Sequence, residues 1–380
     1  MRTKIAIVGM SMKCADAPNI TALEKLLLEG HDSVKPFTEK RIMDTSIDTN
    51  RPLRQIGFIE DIDKFDYRLF GLSKAEASMM DPHHRLILES VYEAIDNTGY
   101  SIDYFNGSNS SVYLADINPE YYKLADKFED VMVAGNSPAF AAARVARQFN
   151  LTGNALVVDT ACSSSLVALH TACNELILGE TDYAFVGGAS LNFFPYCDKE
   201  AETSIWSSDG KSRAFSEQAD GMSCGETVGC LILKRLEDAL EDHDNIHAVI
   251  LATAVNNNAD RSSSPSAPDS ISQAKVITTA WDRAGIKPED IGFIEAHGSG
   301  TKLGDSLEVE GLTMAFNQYT NKKHICPMST IKSNIGHSYS VSGIAGIVKA
   351  VLSMGFIVSL WAASKARPDQ TGTDHVFLAL

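Results

Sequence analysis

An internal repeat constrains the fold of this chain more than any other feature of its sequence. In the first copy, a helical pattern ends at Gly99 and is followed by an apolar strand, Val112–Ala115. In the second copy, another helical pattern ends at Gly285 and is followed by the strand Ile291–Glu295. Glycine commonly ends a helix because it adopts the left-handed conformation without steric cost. The repeat therefore predicts two copies of one α/β unit.

The match between the two copies continues into a second strand and a tight turn. In the first copy, the apolar pair Val157 and Val158 precedes a turn and a helix rich in small residues. The second copy has a strand at Met328–Ile331, a turn that contains Gly336, and another small-residue helix. Sites in α/β folds form beyond the carboxyl ends of the strands, so both turns are candidate positions for chemistry.

The two copies differ at their ends. The first continues into two apolar strands, Ala184–Gly187 and Val228–Leu233, whereas the last residues hold one apolar cluster, a polar stretch and the short run Val376–Leu380. We therefore expect an α/β fold built from two duplicated halves, residues 1–240 and 241–356, with an atypical tail at 357–380. The second sheet is expected to be incomplete at its C-terminal side.

The charge of the chain excludes one broad class of function. Its 380 residues include 33 lysines and arginines against 49 aspartates and glutamates, which gives a net charge of −16. Proteins that bind nucleic acid usually show the opposite balance, because they neutralise phosphates. With 44% hydrophobic residues, the chain is also large enough to bury a substantial core.

The cysteines indicate a reducing compartment. They are odd in number, scattered and without paired spacing, which argues against a disulfide framework or a zinc site. The N-terminus has no signal-peptide layout, and the longest helical apolar stretch is too short to span a bilayer. We expect a soluble cytoplasmic protein without a metal site. The seven cysteines are Cys14, Cys162, Cys173, Cys197, Cys224, Cys230 and Cys326.

Cys162 differs from the other cysteines because it lies between an apolar strand and a small-residue helix. The N-terminus of a helix has unpaired N–H groups and a positive dipole end, so this position predicts a lowered pKa for the thiol. Backbone N–H groups at such a turn can also bind a developing oxyanion. An isolated cysteine is more often a buried packing residue, the interpretation we give to Cys173, Cys224 and Cys230. Spacing alone would also permit a cysteine hydrolase.

Two histidines occupy matching positions in the second half. His297 follows the apolar strand Ile291–Glu295 in a glycine-rich turn, and His337 follows the next strand in the turn that corresponds to that of Cys162. A lone histidine is more often structural than catalytic. Two histidines at strand ends, opposite a cysteine at the equivalent end, predict a shared site.

These segments resemble the signature motifs of β-ketoacyl synthases, the condensing enzymes of fatty acid and polyketide synthases. The similarity extends from about Lys4 to about Phe356. It implies the thiolase fold, a five-layer αβαβα arrangement built from two duplicated halves, usually as a homodimer. The segments that carry it are 159–166 (DTACSSSL), 295–301 (EAHGSGT), 332–337 (KSNIGH), 81–85 (DPHHR), 219–221 (ADG) and 225–226 (GE).

The resemblance implies a decarboxylative condensation. Cys162 accepts an acyl group from a thioester, and a malonyl-type extender then enters on the phosphopantetheine arm of an acyl carrier protein. His297 and His337 hold the malonyl thioester carbonyl and stabilise the enolate that decarboxylation leaves. Neutral imidazoles suit this role because each can donate an N–H to the enolate oxygen. The enolate attacks the acyl group and lengthens the chain by two carbons. The resemblance implies no cofactor bound by this domain itself.

The resemblance also assigns supporting residues and exposes one departure. Lys332 and Glu308 match residues that support the site electrostatically, although a plain ion pair is an equally good interpretation. Ser299 and Thr301 match hydroxyls that contact the pantetheine arm. Ketosynthases close with a glycine-rich segment that supplies strands and an oxyanion-hole N–H, and nothing like it follows Phe356. We therefore expect the second half to lack those groups.

Two rival functions remain open from the sequence. The first is a degradative or CoA-linked thiolase-fold enzyme, which usually depends on a second cysteine or a histidine–asparagine pair. The pairing of His297 with His337 argues against it. The second is a non-catalytic ketosynthase-like subunit that acts as a scaffold or sets a partner's chain length. Such subunits usually lose the active cysteine, whereas this chain retains Cys162, but the missing closing segment keeps the alternative open.

Overall fold

Strands and helices alternate through the computed structural model. The structure describes residues 3–45, 47–115, 118–124, 130–196, 205–262, 264, 267–323, 326–364 and 375–378. Its strands are β1 (Ile5–Cys14), β2 (Ile56–Gly57), β3 (Ser110–Ala115), β4 (Ala155–Val158), β5 (Tyr183–Ser190), β6 (Cys224–Gly225), β7 (Thr227–Arg235), β8 (Ala248–Ile250), β9 (Ile291–Glu295), β10 (Met328–Ser329) and β11 (His375–Leu378).

The α-helices are α1 (Ile20–Glu29), α2 (Glu39–Asp44), α3 (Lys74–Met79), α4 (Pro82–Thr98), α5 (Ile102–Phe105), α6 (Asp130–Asn136), α7 (Pro138–Gln148), α8 (Ser164–Leu178), α9 (Leu236–Glu241), α10 (Ser270–Ala284), α11 (Lys302–Asn317), α12 (Lys332–Ile335) and α13 (Ser342–Ser364). Short 3₁₀ turns lie at Tyr121–Leu124, Ala161–Ser163, Pro288–Asp290 and Tyr339–Val341. No helix in the described part of the chain is long and apolar enough to cross a membrane.

The first half forms a mixed sheet in the order β4-β3-β5-β7-β1-β8. Strand β3 pairs in parallel with β4 and β5, while β7 pairs antiparallel with both β5 and β1. The central strand β5 is buried along its whole length, because helices cover both faces of the sheet. The four strands predicted for this half are present as β3, β4, β5 and β7.

The second sheet repeats one part of the first. Strands β10, β9 and β11 are parallel, with β9 in the centre, as β3 is centred between β4 and β5. The expectation of an incomplete second sheet is therefore partly wrong, because residues 375–378 form β11 in the position that β5 occupies in the first copy. Within the described residues this sheet has no counterpart of β7.

The two helices of the repeat begin and end alike. Asp81 caps α4 by accepting the N–H of His83 at 2.8 Å, and Asp269 caps α10 by accepting the N–H of Ser272 at 2.7 Å. An aspartate at this position satisfies N–H groups that have no partner within the helix. Gly99 and Gly285 end the same helices in the left-handed conformation, with φ of 84° and 67°. The glycines that mark the repeat thus act as helix caps.

The elements stack in five layers. Helices α4 and α7 pack on one face of the first sheet, and α8 and α13 fill the space between the two sheets. Helices α10 and α11 cover the outer face of the second sheet, where the fully buried Trp281 packs against its strands. This order is the αβαβα arrangement that the resemblance implies.

A short parallel pairing of β2 with β6 leads into the most buried ion pair of the described residues. Arg41 of α2 and Glu226, which follows β6, are both fully buried, and their side chains meet at 2.5 Å. The Glu226 carboxylate also accepts the N–H groups of Ile59 and Asn192, each at 2.8 Å. These bonds satisfy a carboxylate that burial would otherwise destabilise. They hold the segment that precedes β7 in one position.

Candidate active site

The turn that carries Cys162 joins β4 to α8. Ala161 has a φ of 55°, a left-handed conformation that costs free energy for any residue other than glycine. The turn is held by hydrogen bonds from the N–H of Ala161 to Asp159 Oδ1 (3.0 Å) and from the N–H of Thr160 to Ser164 Oγ (2.9 Å). The strained turn therefore presents Cys162 at the start of the helix, half-buried rather than enclosed in the core.

The prediction of a lowered pKa for Cys162 is wrong. Burial raises the pKa of this thiol, and the charge of Lys332 and a backbone N–H only partly oppose the effect. The sequence shows a helix N-terminus but cannot show how much water the fold removes around the sulfur. Burial therefore favours the thiol of Cys162 over its thiolate.

His297 lies in a turn whose backbone is held by two charged side chains. The Glu308 carboxylate accepts the N–H groups of His297 and Gly298 at 2.6 and 2.8 Å. The Lys332 ammonium donates to the carbonyl oxygen of His297 at 2.5 Å. Gly298 has a φ of 41° and no room for a side chain, since a Cβ would lie 2.8 Å from Phe215 and Thr330. Lys332 and Glu308 thus fix the position of His297 through its backbone.

His337 is held by a segment from the other half of the chain. Its N–H donates to the carbonyl of Ser223, and its carbonyl accepts the N–H of Gly225, each at 2.9 Å. Its Nδ1 accepts the N–H of Tyr339 at 3.0 Å. Because Nδ1 is an acceptor here, the neutral ring carries its proton on Nε2. That proton is available for donation to a ligand.

The two histidines and the cysteine are brought together, as the sequence predicts. The rings of His297 and His337 have centroids 5.5 Å apart and planes at 81°, so they meet edge to face. Ser342 Oγ, at the start of α13, donates to the carbonyl of Cys162 at 3.2 Å. Ser342, five residues after His337, therefore links the His337 segment to the turn that carries Cys162.

Both imidazoles are neutral at physiological pH. The charge of Lys332, reinforced by burial, lowers the pKa of His297 to about 3. Burial, reinforced by Lys332 and His297, holds the pKa of His337 well below its usual value of 6.5. Burial also lowers the pKa of Lys332, although the carboxylates of Glu295 and Glu308 oppose it. A cation beside two desolvated rings disfavours a second positive charge.

Ser299 and Thr301 lie side by side in the same glycine-rich turn. Their hydroxyl oxygens are 3.0 Å apart, and Ser299 is buried whereas Thr301 is half-buried. The turn is fixed by Asp305, which accepts the N–H groups of Gly300 (3.1 Å) and Phe215 (2.7 Å). The paired hydroxyls can therefore accept or donate hydrogen bonds at a defined place near His297.

Three features of the site were missed by sequence reasoning. One is the buried pair of Glu295 and Lys349, 2.7 Å apart, in which Glu295 also accepts the N–H of Ile331 at 2.6 Å and so ties β9 to the turn before α12. A charged residue at the end of an apolar strand was the available clue. The others are the backbone clamp from Ser223 to Gly225 and the ring of Tyr339, and no local pattern marks a contact between distant segments.

Two family models match this chain. One, described as the N-terminal domain of beta-ketoacyl synthase, covers residues 2–239, and the other, the C-terminal domain, covers residues 247–357. The chain belongs to the β-ketoacyl synthase family. The resemblance found in the sequence motifs is thereby confirmed, and the second model reaches past the last histidine motif to residue 357.

Curated relatives of this β-ketoacyl synthase include polyketide synthases. Polyketide synthase PksL of Bacillus subtilis (strain 168) is 36% identical over 358 residues, which is 92% of this chain and 8% of that protein. The highly reducing polyketide synthase sorA of Penicillium rubens is 36% identical over 364 residues, or 92% of this chain and 14% of that protein. This β-ketoacyl synthase chain thus spans a small fraction of the curated proteins that it matches.

Solved ketosynthases confirm the fold. The ketosynthase from module 6 of the bacillaene synthase of Bacillus subtilis 168 is 37% identical, with a TM-score of 0.83 over 93% of this chain and 61% of that one. The oxazolomycin ketosynthase OzmH KS7 of Streptomyces albus is 32% identical, with a TM-score of 0.84 over 93% of this chain and 63% of that one. This β-ketoacyl synthase therefore has the thiolase fold.

Proposed function

We propose that this chain condenses an acyl group held on Cys162 with a malonyl-type extender carried by an acyl carrier protein, as part of polyketide assembly. The observation that carries the proposal is the pair of neutral imidazoles, His297 and His337, beside the Cys162 turn. Neutral rings can donate hydrogen bonds to an enolate oxygen without placing another positive charge in the buried site. The names of the polyketide synthase relatives support the pathway.

The chemistry balances in two steps. In the first, the sulfur of Cys162 attacks the carbonyl of an acyl thioester, the carrier thiol leaves with the proton, and an acyl-enzyme remains. In the second, the carbon–carbon bond to the malonyl carboxylate breaks, which releases carbon dioxide and leaves an enolate. The enolate carbon then attacks the acyl carbonyl and displaces the Cys162 sulfur as a thiolate, which takes a proton from water. His297 and His337 hold the enolate oxygen, and Ser299 and Thr301 contact the pantetheine arm.

Acylation of Cys162 tests the proposal. Incubation of the chain with an acyl-carrier thioester should give one covalent acyl group per chain, located at Cys162 by mass spectrometry of proteolytic peptides. Addition of malonyl-carrier should then release that group as a product two carbons longer. Neither step needs a metal or cofactor in the assay.

A matched cysteine provides the control. Cys326 is also half-buried, but it precedes β10 rather than the nucleophile turn, and burial raises its pKa to about 11. Cys162→Ala should abolish acylation, and Cys326→Ala should leave it intact. Iodoacetamide should modify Cys162 faster than Cys326. Equal labelling of the two, or acylation that survives Cys162→Ala, would contradict the assignment.

We also propose that the chain acts as a homodimer joined at β4. This strand is the edge of the first sheet, and Leu156 in its middle is 48% exposed, so the edge offers unpaired backbone groups beside an apolar side chain. Antiparallel pairing of β4 with its counterpart in a second copy would give these backbone groups hydrogen-bond partners and bury Leu156. Light scattering should give twice the chain mass, and Leu156→Asp should give the monomer mass. Leu240→Asp, at a leucine in α9 that is 59% exposed, should not change the mass.

The proposed setting is the cytoplasm. The described cysteines are free thiols, and a thiol nucleophile must remain reduced to accept an acyl group. Division of the chain into halves at 1–240 and 241–356, with a tail at 357–380, also remains a proposal.

A further inference from the structure

The imidazole of His337 contacts two rings. His297 meets it edge to face, and the phenol of Tyr339 stacks against it with centroids 5.6 Å apart and planes at 29°. Only 1% of His337 is exposed. The stacked phenol therefore covers one face of the imidazole.

The Tyr339 ring is itself anchored. Its hydroxyl lies 3.5 Å from the sulfur of Cys224, and its edge meets Trp206 with centroids 6.1 Å apart. The guanidinium of Arg54 lies 4.6 Å above the ring of Trp206. Contacts from the first half of the chain thus hold the phenol against His337.

The backbone at Tyr339 is in a conformation that favours glycine. Its φ is 42°, and in this conformation its N–H reaches Nδ1 of His337. A tyrosine pays a steric penalty there that glycine would avoid. The bond from the Tyr339 N–H to His337 could form with glycine at this position. The presence of a tyrosine is therefore explained by the contacts of its ring.

We propose that Tyr339 is a positioning residue for His337. The phenol keeps the imidazole in the orientation in which Nδ1 accepts the Tyr339 N–H and Nε2 presents its proton to the substrate, and it excludes water from the covered face. This inference rests on the proposed function, because it concerns the ring that holds the enolate.

The charged and titratable groups around His337 explain why exclusion of water matters. Lys332 from α12 and His297 from the turn after β9 act on the ring, and the thiols of Cys162 and Cys224 act on the neighbouring Tyr339. Lys332 disfavours an imidazolium, whereas water would stabilise one. Removal of the phenol should therefore raise the pKa of His337 toward the ordinary histidine value.

Two substitutions separate the ring from the backbone. Tyr339→Gly removes the phenol but suits the left-handed conformation, so the fold and the bond to Nδ1 are retained. Tyr339→Phe keeps the ring and loses only the hydroxyl contact with Cys224. For decarboxylation of malonyl-carrier, Tyr339→Gly should lower kcat about 10- to 100-fold with little change in KM, because the donor is misplaced rather than removed. Tyr339→Phe should keep most of the wild-type kcat, because the ring remains against His337.

A second readout does not depend on activity. Nitrogen-15 NMR of the imidazoles in the full chain should show His337 neutral, with its proton on Nε2, in the wild type and in Tyr339→Phe. In Tyr339→Gly the same ring should begin to titrate near the ordinary histidine range. Unchanged titration and nitrogen shifts in Tyr339→Gly, or an equal loss of kcat in both variants, would overturn the inference. If the wild type does not decarboxylate malonyl-carrier, the proposed function fails, while the NMR comparison still decides the role of Tyr339.

Discussion

Replacement of His337 by alanine should lower the rate of malonyl-carrier decarboxylation about 100- to 1000-fold, the range found when one oxyanion donor is removed. The ring is buried, its Nδ1 accepts the N–H of Tyr339, and its Nε2 proton is therefore free to hold the enolate oxygen. Acylation of Cys162 forms a different bond and should persist. The measurement is the release of carbon dioxide from malonyl-carrier, alongside mass spectrometry of the acyl-enzyme.

Two further variants make the result specific. His337→Gln keeps a side-chain N–H donor and should retain more activity than His337→Ala. His170→Ala should have little effect. The half-buried ring of His170 lies on helix α8, where its Nδ1 is 2.6 Å from the hydroxyl of Thr253. Full decarboxylation activity in His337→Ala would remove this ring from the mechanism.

The pH profile provides an independent check on the same residue. The pKa of His337 lies well below 6.5 and that of His297 is about 3, so both rings stay in the neutral, donating form as the pH falls through 6.5. The rate of decarboxylation by the wild type should accordingly show no inflection near pH 6.5. An inflection there would mean that one of the rings must gain or lose a proton in the ordinary histidine range.

Replacement of Glu226 by glutamine should lower the free energy of unfolding by about 3–5 kcal/mol, the cost of leaving one partner of a buried ion pair alone. Arg41 is fully buried, and Glu226 is the carboxylate that its guanidinium contacts. Glutamine also has an NH2 group in place of one carboxylate oxygen, so either the Ile59 or the Asn192 N–H loses its acceptor and faces a donor. Urea unfolding followed by circular dichroism measures the change.

An exposed pair is the control for this prediction. Lys25 and Glu29 on α1 lie 3.8 Å apart with side chains that are 76% and 60% exposed, and Glu29→Gln should cost less than about 1 kcal/mol. The double variant Arg41→Met with Glu226→Leu should recover much of the loss, because neither charge remains buried. A Glu226→Gln variant as stable as the wild type would show that other groups stabilise the buried charge of Arg41.

Local pattern was sufficient to predict the framework of the fold. Glycines at the ends of α4 and α10 marked the repeat, and the apolar runs of the first half became β3, β4, β5 and β7. The same reasoning put Cys162, His297 and His337 in turns that a strand precedes, and their catalytic roles stay predictions. Strands, turns and helix caps can be predicted locally because neighbouring residues decide them.

Long-range effects could not be predicted in this way. The pKa of Cys162 depends on how much water the folded chain removes, and burial outweighs the helix N-terminus that sequence reasoning relied on. The roles of Glu308 and Lys332 were left between an ion pair and electrostatic support, whereas each binds the backbone around His297. The short strand β11 was missed because its pairing with β9 joins residues about eighty positions apart.

The backbone clamp on His337 has a consequence for recombining this chain with its relatives. The bonds to Ser223 and Gly225 cross from the first half to the second, so the backbone of His337 is held by residues on the far side of any boundary near residue 240. A chimera joined at that boundary would take His337 from one parent and the segment that hydrogen-bonds its backbone from the other. Exchange of residues 223–226 together with the second half keeps the two surfaces matched.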